Sequence, residues 1–281
     1  PFNGVKSYVS YAKTRFIVFW SKNPKPLLKY IDLLKEKMIG CYIQYTLNDY
    51  VAEGLERGVP SVDERIETFK QLVDKLGKGS VIWRFDPMIL TDKISVDDLL
   101  RKVEYIGDRL FGYTEKLVFS FADITEYRKV KSNLEKNGIN YHVWTETEML
   151  IFAKRLSELN KKWSYELATC GEKIDLNKYN IAHNKCIDDE LMAKYFHSDK
   201  VLMDFLGVEV SIPDLFNPQP QIVFKKNNKD KGQRAFCGCI NSKDIGQYNT
   251  CPHLCEYCYA NASKETALKN WKKHQDGPHN E

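Results

Sequence analysis

The stretch Ser80-VIWRF-Asp86 is a short run of β-branched and aromatic residues that carries two charged side chains near its end. Three similar runs occur along the chain: Arg15-FIVFW-Ser21, Cys41-YIQYT-Leu47 and Lys116-LVFSF-Ala122. Each run is followed by polar residues and then by a helical pattern. Short apolar runs of this kind are typical of strands buried in a parallel sheet. The pattern therefore predicts a repeated strand–helix unit.

The helical segments between these runs are amphipathic. In residues 62–77 and 95–112 the apolar positions recur at steps of three and four, as on one face of a helix. Thr145 and Glu148 spell a capping box ahead of a further helix, and Trp163-SYELATC-Gly171 has the composition of another strand. Alternating strands and helices predict an α/β fold with a parallel sheet.

The number of units, six or more, favours a TIM-like (β/α) barrel over the alternative, an open doubly wound sheet. We expect residues 1–234 to form the barrel body. Residues 235–281 are then a cysteine-rich, cluster-binding segment packed on the same barrel. The sequence begins with Pro1 rather than Met, and we expect its natural N-terminus to be missing.

Charge and composition exclude several classes of function. The 42 Lys and Arg residues against 38 Asp and Glu give a net charge of +4, which makes no case for non-specific nucleic-acid binding. No apolar run approaches the roughly 18 residues of a membrane span. Five of the 8 cysteines fall between Cys237 and Cys258, and clustered thiols in a large chain indicate metal rather than disulfides. We therefore expect a cytoplasmic protein in a reducing compartment.

Polar residues near the ends of the predicted strands are the candidates for chemistry, because in barrels the loops there converge on one mouth. Lys22, Arg84 and Asp86 are candidate catalytic residues that contact a substrate or cofactor, and Gln44 is a candidate cofactor contact. Arg84 and Asp86 are two positions apart and so point to the same side of a strand. Their charge pair either anchors a polar ligand or ties neighbouring loops together.

The C-terminal stretch Cys251-Pro-His-Leu-Cys-Glu-Tyr-Cys258 brings three thiols close together. Thiolates are anions, so several of them in one place call for a metal cation. Zinc sites and iron–sulfur clusters both usually take four ligands, and the spacing C-x3-C-x2-C offers three. Cys237 and Cys239, on the predicted final strand Arg234-AFCGC-Ile240, are candidates for a further ligand, as is His253 for zinc. A fourth thiolate would close the site.

The same stretch resembles the cluster motif of the radical S-adenosylmethionine (SAM) enzymes. Its letters C-x-H-x-C-x-Y-C-Y-A are similar in particular to relatives of spore photoproduct lyase. The resemblance implies that Cys251, Cys255 and Cys258 hold a [4Fe-4S] cluster whose open iron is chelated by SAM, with Tyr257 beside the adenine. One electron would then split the sulfonium to give a 5′-deoxyadenosyl radical. An electron donor such as ferredoxin or flavodoxin is implied, as is an unknown substrate, either a small molecule or a nucleotide.

A second resemblance covers nearly the whole chain. The order F-W-S-K-N-P, Q-Y-T-L, W-R-F-D-P, C-G-C with S-K-D-I-G-Q-Y, and C-P-H-L-C-E-Y-C-Y-A is similar to a bacterial family known as domain of unknown function number eighteen forty-eight. Its members usually begin with Ser-Arg-Arg-Thr-Asp-Ile-Pro on a first strand, which this sequence lacks. We therefore expect an incomplete or circularly permuted barrel, with the cysteine loop after its final strand.

Two hypotheses follow from the sequence. In the first, the protein is a radical SAM enzyme that abstracts hydrogen from its substrate. In the second, four of the late cysteines bind zinc or a closed iron–sulfur cluster as a structural clasp, and the α/β barrel has another activity or none.

Overall fold

Strands and helices alternate along the chain in the computed structural model, which describes residues 8–211 and 221–276. The strands are β1 (Phe16–Ser21), β2 (Gly40–Thr46), β3 (Val81–Met88), β4 (Leu90–Thr91), β5 (Lys116–Phe121), β6 (Tyr141–His142), β7 (Glu166–Thr169), β8 (Ile181–His183), β9 (Val208–Val210) and β10 (Ile222–Phe224). The helices are α1 (Ile31–Glu36), α2 (Val62–Leu76), α3 (Val96–Leu110), α4 (Arg128–Lys136), α5 (Glu146–Asn160), α6 (Asp189–Phe196), α7 (Lys200–Leu206) and α8 (Lys264–Asp276).

The three longest predicted helices are stabilised at their first turn by capping boxes. Ser61, Ser95 and Thr145 each accept a hydrogen bond from the backbone N–H three residues on, and the acidic side chain at that position bonds back. These reciprocal bonds satisfy N–H groups that the helix itself leaves unpaired. The predicted capping box at Thr145 is thereby confirmed.

The central sheet has six strands in the order β1-β2-β3-β5-β7-β8, and every neighbouring pair is parallel. The predicted α/β fold with a parallel sheet is confirmed. Each new strand joins the same side of the sheet, as in a barrel. Within the described residues, however, β1 and β8 are its two edges and no strand joins them, so the closed TIM-like barrel is not confirmed.

Helices cover both faces of this sheet. On one face Tyr45, Trp83 and Phe119 pack in the core that also receives α2, α3 and α5. On the other face Tyr42, Ile82 and Val118 pack with residues of α6 and α7. The strands β2, β3 and β5 are therefore buried on both sides, which explains their nearly continuous apolar sequence.

The predicted strand Arg234-AFCGC-Ile240 is wrong. These residues form turns and irregular chain, apart from one isolated bridge between Ile240 and Lys229. The segment is held instead by the chain after β8, because the N–H of Ile240 bonds to the carbonyl of Ile187 at 3.1 Å. The cysteine loop thus does not follow a strand of the central sheet.

The C-terminal segment nevertheless packs on the body of the protein. Cys255 and Tyr257 belong to the same core as the helices α2, α3 and α5. The helix predicted after this loop is present as α8, in which Ala267 is fully buried. Among the helices described, none combines the length and apolarity that a membrane crossing requires.

The core face of α2 gives a direct test of the fold. Phe69 is fully buried and stacks on Tyr45, with ring centroids 5.6 Å apart. We expect Phe69→Ala to lower the free energy of unfolding by about 3–5 kcal/mol, because it removes a buried ring and leaves a cavity. Urea denaturation measures the change. The exposed neighbour Glu67 is the control, and Glu67→Ala should change stability by no more than about 0.5 kcal/mol. Equal effects of the two substitutions would contradict the assigned helix face.

Candidate functional site

Polar residues from three neighbouring strands meet the C-terminal cysteine loop at the carboxyl edge of the sheet. Lys22 directly follows β1, Asn48 lies two residues beyond β2, and Asp86 is near the end of β3. Asn48 ties two of these segments together: its amide nitrogen donates to the Asp86 carbonyl at 3.2 Å, and its amide oxygen accepts from the Asp86 N–H at 2.9 Å.

A fully buried carboxylate, Glu56, lies at the centre of this edge. Lys22 Nζ is 2.8 Å from Glu56 Oε1, Asn48 Nδ2 is 3.3 Å from the same oxygen, and Arg65 Nη1 is 3.5 Å from Oε2. Burial alone would raise the pKa of Glu56, but Lys22 and Arg65 outweigh it, so the pKa lies below the ordinary value. Glu56 is therefore a paired anion that balances two cations.

Tyr257 connects the cysteine loop to this group. Its hydroxyl donates to Glu56 and accepts from Lys22 Nζ at 2.8 Å and from Asn48 Nδ2 at 3.1 Å. Its ring packs edge-on against Tyr50, with centroids 6.1 Å apart. The structure thus gives Tyr257 an anchoring role. Its predicted place beside an adenine stays a prediction.

Backbone contacts hold the rest of the loop. The N–H of Gly58 donates to the His253 carbonyl at 2.9 Å, and the N–H of Glu256 donates to the Leu55 carbonyl at 3.0 Å. A Cβ atom on Gly58 would lie 2.5 Å from the carbonyl oxygen of Pro252, so only glycine permits this approach. Nδ1 of His253 is itself 3.2 Å from the Gly58 carbonyl oxygen.

The three thiols of the loop lie close enough for their charges to interact. Cys255 is buried, Cys258 is half-buried and Cys251 is exposed. Burial raises the pKa of Cys255 to about 12, with further contributions from Glu56, Cys251 and Cys258, while Lys22 acts in the opposite direction. Three thiolates here therefore need a cation in addition to Lys22. Among the residues that the structure describes, no group of three or more His, Cys, Asp or Glu side chains is already arranged to hold a metal ion.

Arg84 and Asp86 form the predicted ion pair on one side of β3. Ser120 donates a hydrogen bond to Asp86. Arg84 is buried and also contacts Gln44 Oε1 at 3.3 Å, while Asp86 remains 22% exposed. Of the predicted site residues, Arg84, Asp86 and Gln44 thus form one group, and Lys22 and Tyr257 form another around Glu56.

Cys239 lies beside Cys186, although the sequence grouped it with the late cysteines. Its sulfur accepts hydrogen bonds from the N–H groups of Cys186 at 3.1 Å and Ile187 at 3.3 Å. Cys170 and Cys186 lie outside the late group of cysteines that the sequence analysis singled out, and no sequence pattern pointed to Glu56, Asn48 or Arg65. These residues come together only through the fold.

These features define a class of protein: a parallel α/β sheet whose carboxyl edge receives a cysteine-rich C-terminal loop. The sequence matches the family described as Domain of unknown function (DUF1848) over residues 1–260, and the chain belongs to that family. This confirms the resemblance that covers nearly the whole chain. No curated protein matches the sequence. The likeness to radical SAM enzymes and to spore photoproduct lyase stays a prediction.

Neutralising Glu56 tests its role in balancing the two cations. We expect Glu56→Gln to lower the free energy of unfolding by about 3–5 kcal/mol, because Lys22 and Arg65 would then lack their buried counter-ion. The exposed ion pair of Asp32 with Lys75 provides the control, and Asp32→Asn should change stability by no more than about 1 kcal/mol. Urea denaturation compares the two. Similar small effects would show that Glu56 does not organise this edge.

A substitution at Gly58 tests whether residues 251–258 pack closely against the backbone at this position. We expect Gly58→Ala to push residues 251–258 away from the sheet and to cost about 1–3 kcal/mol, because the added methyl group meets backbone rather than a movable side chain. Hydrogen–deuterium exchange should show faster exchange of the amides in residues 251–258. Gly232→Ala is the control, because the atoms it would meet belong to the side chain of Asp230. Unchanged exchange in the Gly58 variant would contradict the close approach.

Proposed function

We propose that the protein is a radical SAM enzyme that binds a [4Fe-4S] cluster through Cys251, Cys255 and Cys258. The observation that carries this proposal is that these three thiols lie at the carboxyl edge of a parallel sheet, whereas Cys239 lies beside Cys186. Three thiolates on a four-iron cluster leave one iron for another ligand. The zinc or closed-cluster alternative for this loop needs a fourth ligand, which Cys239 does not supply in this arrangement.

The donor set suits such a group. The thiols are soft ligands of the kind that iron–sulfur clusters take, and Lys22 supplies a nearby positive charge that favours thiolates. A reduced cluster there would supply the electron that splits SAM into methionine and a 5′-deoxyadenosyl radical, which takes a hydrogen atom from the substrate. In this proposal Glu56, Asn48 and Tyr257 hold the loop in place and so maintain the spacing of its thiols.

Substrate binding is assigned in this proposal to the strand ends beside the loop. Asp86 is the partly exposed member of its group, and Ser120 and Arg84 fix its carboxylate. The charge of Lys22 also acts on the Asp86 carboxylate, and the Lys22 side chain is 16% exposed. A carboxylate and an ammonium at one edge suit a polar small molecule or a nucleotide. A ferredoxin or flavodoxin would supply the electron.

We also propose that the six strands belong to a TIM-like (β/α) barrel that is circularly permuted or incomplete. The unreversed strand order supports it, since an open doubly wound sheet reverses its order at a switch point. We also propose that the protein functions in a reducing cytoplasm. All 8 cysteines have free thiols, as is usual in such a compartment.

The decisive experiment is SAM cleavage. The protein is reconstituted with iron and sulfide without oxygen, reduced with dithionite and given SAM, and 5′-deoxyadenosine is measured by chromatography and mass spectrometry. We expect the wild type to release 5′-deoxyadenosine and Cys255→Ala to release none above background. Cys41→Ala is the matched control, because Cys41 is also buried but lies in β2.

Two outcomes would overturn the proposal. One is a wild-type protein that carries a complete, reduced four-iron cluster and releases no 5′-deoxyadenosine. The other is equal product from the wild type and Cys255→Ala. The electron paramagnetic resonance spectrum of the reduced protein shows whether the cluster is present and whether SAM changes it.

A further inference from the structure

Four cysteines form a second thiol group, on the sheet face that α6 and α7 cover. Cys170 follows β7, Cys186 lies three residues beyond β8, and Cys237 and Cys239 come from the irregular segment before the cysteine loop. The sulfurs of Cys170 and Cys186 are 3.4 Å apart. Cys239 also lies near the thiols of Cys186 and Cys237, both of which act on its pKa.

Nitrogen donors surround the two buried sulfurs of this group. Cys186 Sγ accepts from Arg84 Nη1 at 3.2 Å and from Asn184 Nδ2 at 3.2 Å. Cys239 Sγ accepts from two backbone N–H groups, those of Cys186 and Ile187. Hydrogen bonds to sulfur favour its anionic form, and they are a usual feature of thiolates that bind metal.

Packing alone does not explain this arrangement. A buried cysteine that only fills space behaves as a small apolar residue and needs no charged partner. Here the guanidinium of Arg84, itself only 3% exposed, is directed at the sulfur of Cys186 as well as at Asp86. A buried cation that contacts both a carboxylate and a sulfur would offset negative charge on that sulfur if Cys186 became a thiolate.

We propose that Cys170, Cys186, Cys237 and Cys239 form a binding site for a single thiolate-preferring divalent ion of the zinc type. Tetrahedral coordination at a Zn–S distance of about 2.3 Å places sulfurs about 3.8 Å apart, close to the Cys170–Cys186 separation. An iron–sulfur cluster would hold its thiolates further apart, because irons and sulfides lie between them. The site is therefore sized for one ion.

Binding requires a small rearrangement of side chains. Among the described residues, no three of these side chains are already arranged around one ion. Binding therefore requires the cysteine side chains to rotate about χ1 until their sulfurs surround the ion. Four thiols would release four protons to solvent, so a divalent ion leaves two negative charges, and the positive charge of Arg84 is shared between these and Asp86.

This site is separate from the one proposed for radical chemistry, because it uses none of the thiols of residues 251–258. It would fix the segment that leads into the cysteine loop to the ends of β7 and β8. Its role is structural, since four protein thiolates leave no coordination position for a substrate.

The test uses the full chain with Cys251, Cys255 and Cys258 all replaced by alanine. In this variant only the site proposed in this section can bind a metal ion through thiolates. The protein is reduced, stripped of metal with a chelator and titrated with Co²⁺ and then Zn²⁺. We expect one Co²⁺ per chain, with the intense visible absorption of tetrahedral thiolate coordination, and displacement by Zn²⁺. In this background Cys186→Ser and Cys239→Ser should each weaken Zn²⁺ binding by more than the roughly 10–100-fold that loss of an outer-shell partner costs.

A milder variant keeps the test decisive if ligand substitutions impair folding. Asn184→Ala removes one donor to the Cys186 sulfur and should weaken Zn²⁺ binding by about 10–100-fold. Asn177→Ala, an exposed asparagine before β8, is the control and should leave the affinity unchanged. Circular dichroism checks that each variant is folded.

The inference is overturned if the folded three-alanine protein binds neither ion, or if binding survives the combined Cys186→Ser and Cys239→Ser changes. It is also overturned if peptide mapping finds a Cys170–Cys186 disulfide in place of metal, which would make the pair a redox couple. None of these results depends on SAM cleavage, so this site and the radical proposal stand or fall separately.

Discussion

The buried carboxylate of Glu56 is the interaction on which the carboxyl edge of the sheet depends. An unpaired charge in a protein interior is costly, and Lys22, Arg65 and Glu56 are each tolerable there only because the others are present. Tyr257 adds a hydroxyl to the same group and so brings the C-terminal loop with it. The position of the thiols is thus fixed by an electrostatic requirement of residues far away in sequence.

Asp86 connects the two polar groups of the protein. Its backbone bonds with Asn48, which belongs to the Glu56 group, and its side chain pairs with Arg84, which contacts Cys186. A single residue near the end of β3 therefore contacts both the group around Glu56, through Asn48, and the arginine that reaches Cys186. Proteins with chemistry at strand ends depend on such shared positions, because the loops there converge from several strands.

Local patterns predicted the repeated units well. The four apolar runs are strands of the sheet, and the capping box at Thr145 begins α5, because both features are decided within a few residues. The thiol groups could not be predicted in the same way. Cys170 and Cys186 meet Cys239 only after β7, β8 and the later segment have packed together.

The irregular segment around Cys237 shows why one strand was predicted wrongly. Its composition resembles a strand, but Gly238 lies against the side chain of Lys185, and Ile240 bonds to Ile187 rather than to a neighbouring strand of the sheet. Strand formation needs a partner as well as suitable residues. The ion pair of Arg84 with Asp86 was predictable from the two-residue spacing, whereas Glu56 lies in a stretch without any periodic signal.

The bond between Lys22 and Tyr257 spans 235 residues of sequence, which imposes an order of events on a chain leaving the ribosome. Lys22, Asn48, Glu56 and Arg65 emerge and can assemble while the loop cysteines are still to be made. Long-range contacts of this kind form late, after the entropy of closing so large a loop has been overcome. The residues that receive the loop can therefore be in place before Cys251, Cys255 and Cys258 are synthesised, and these thiols reach their positions after them.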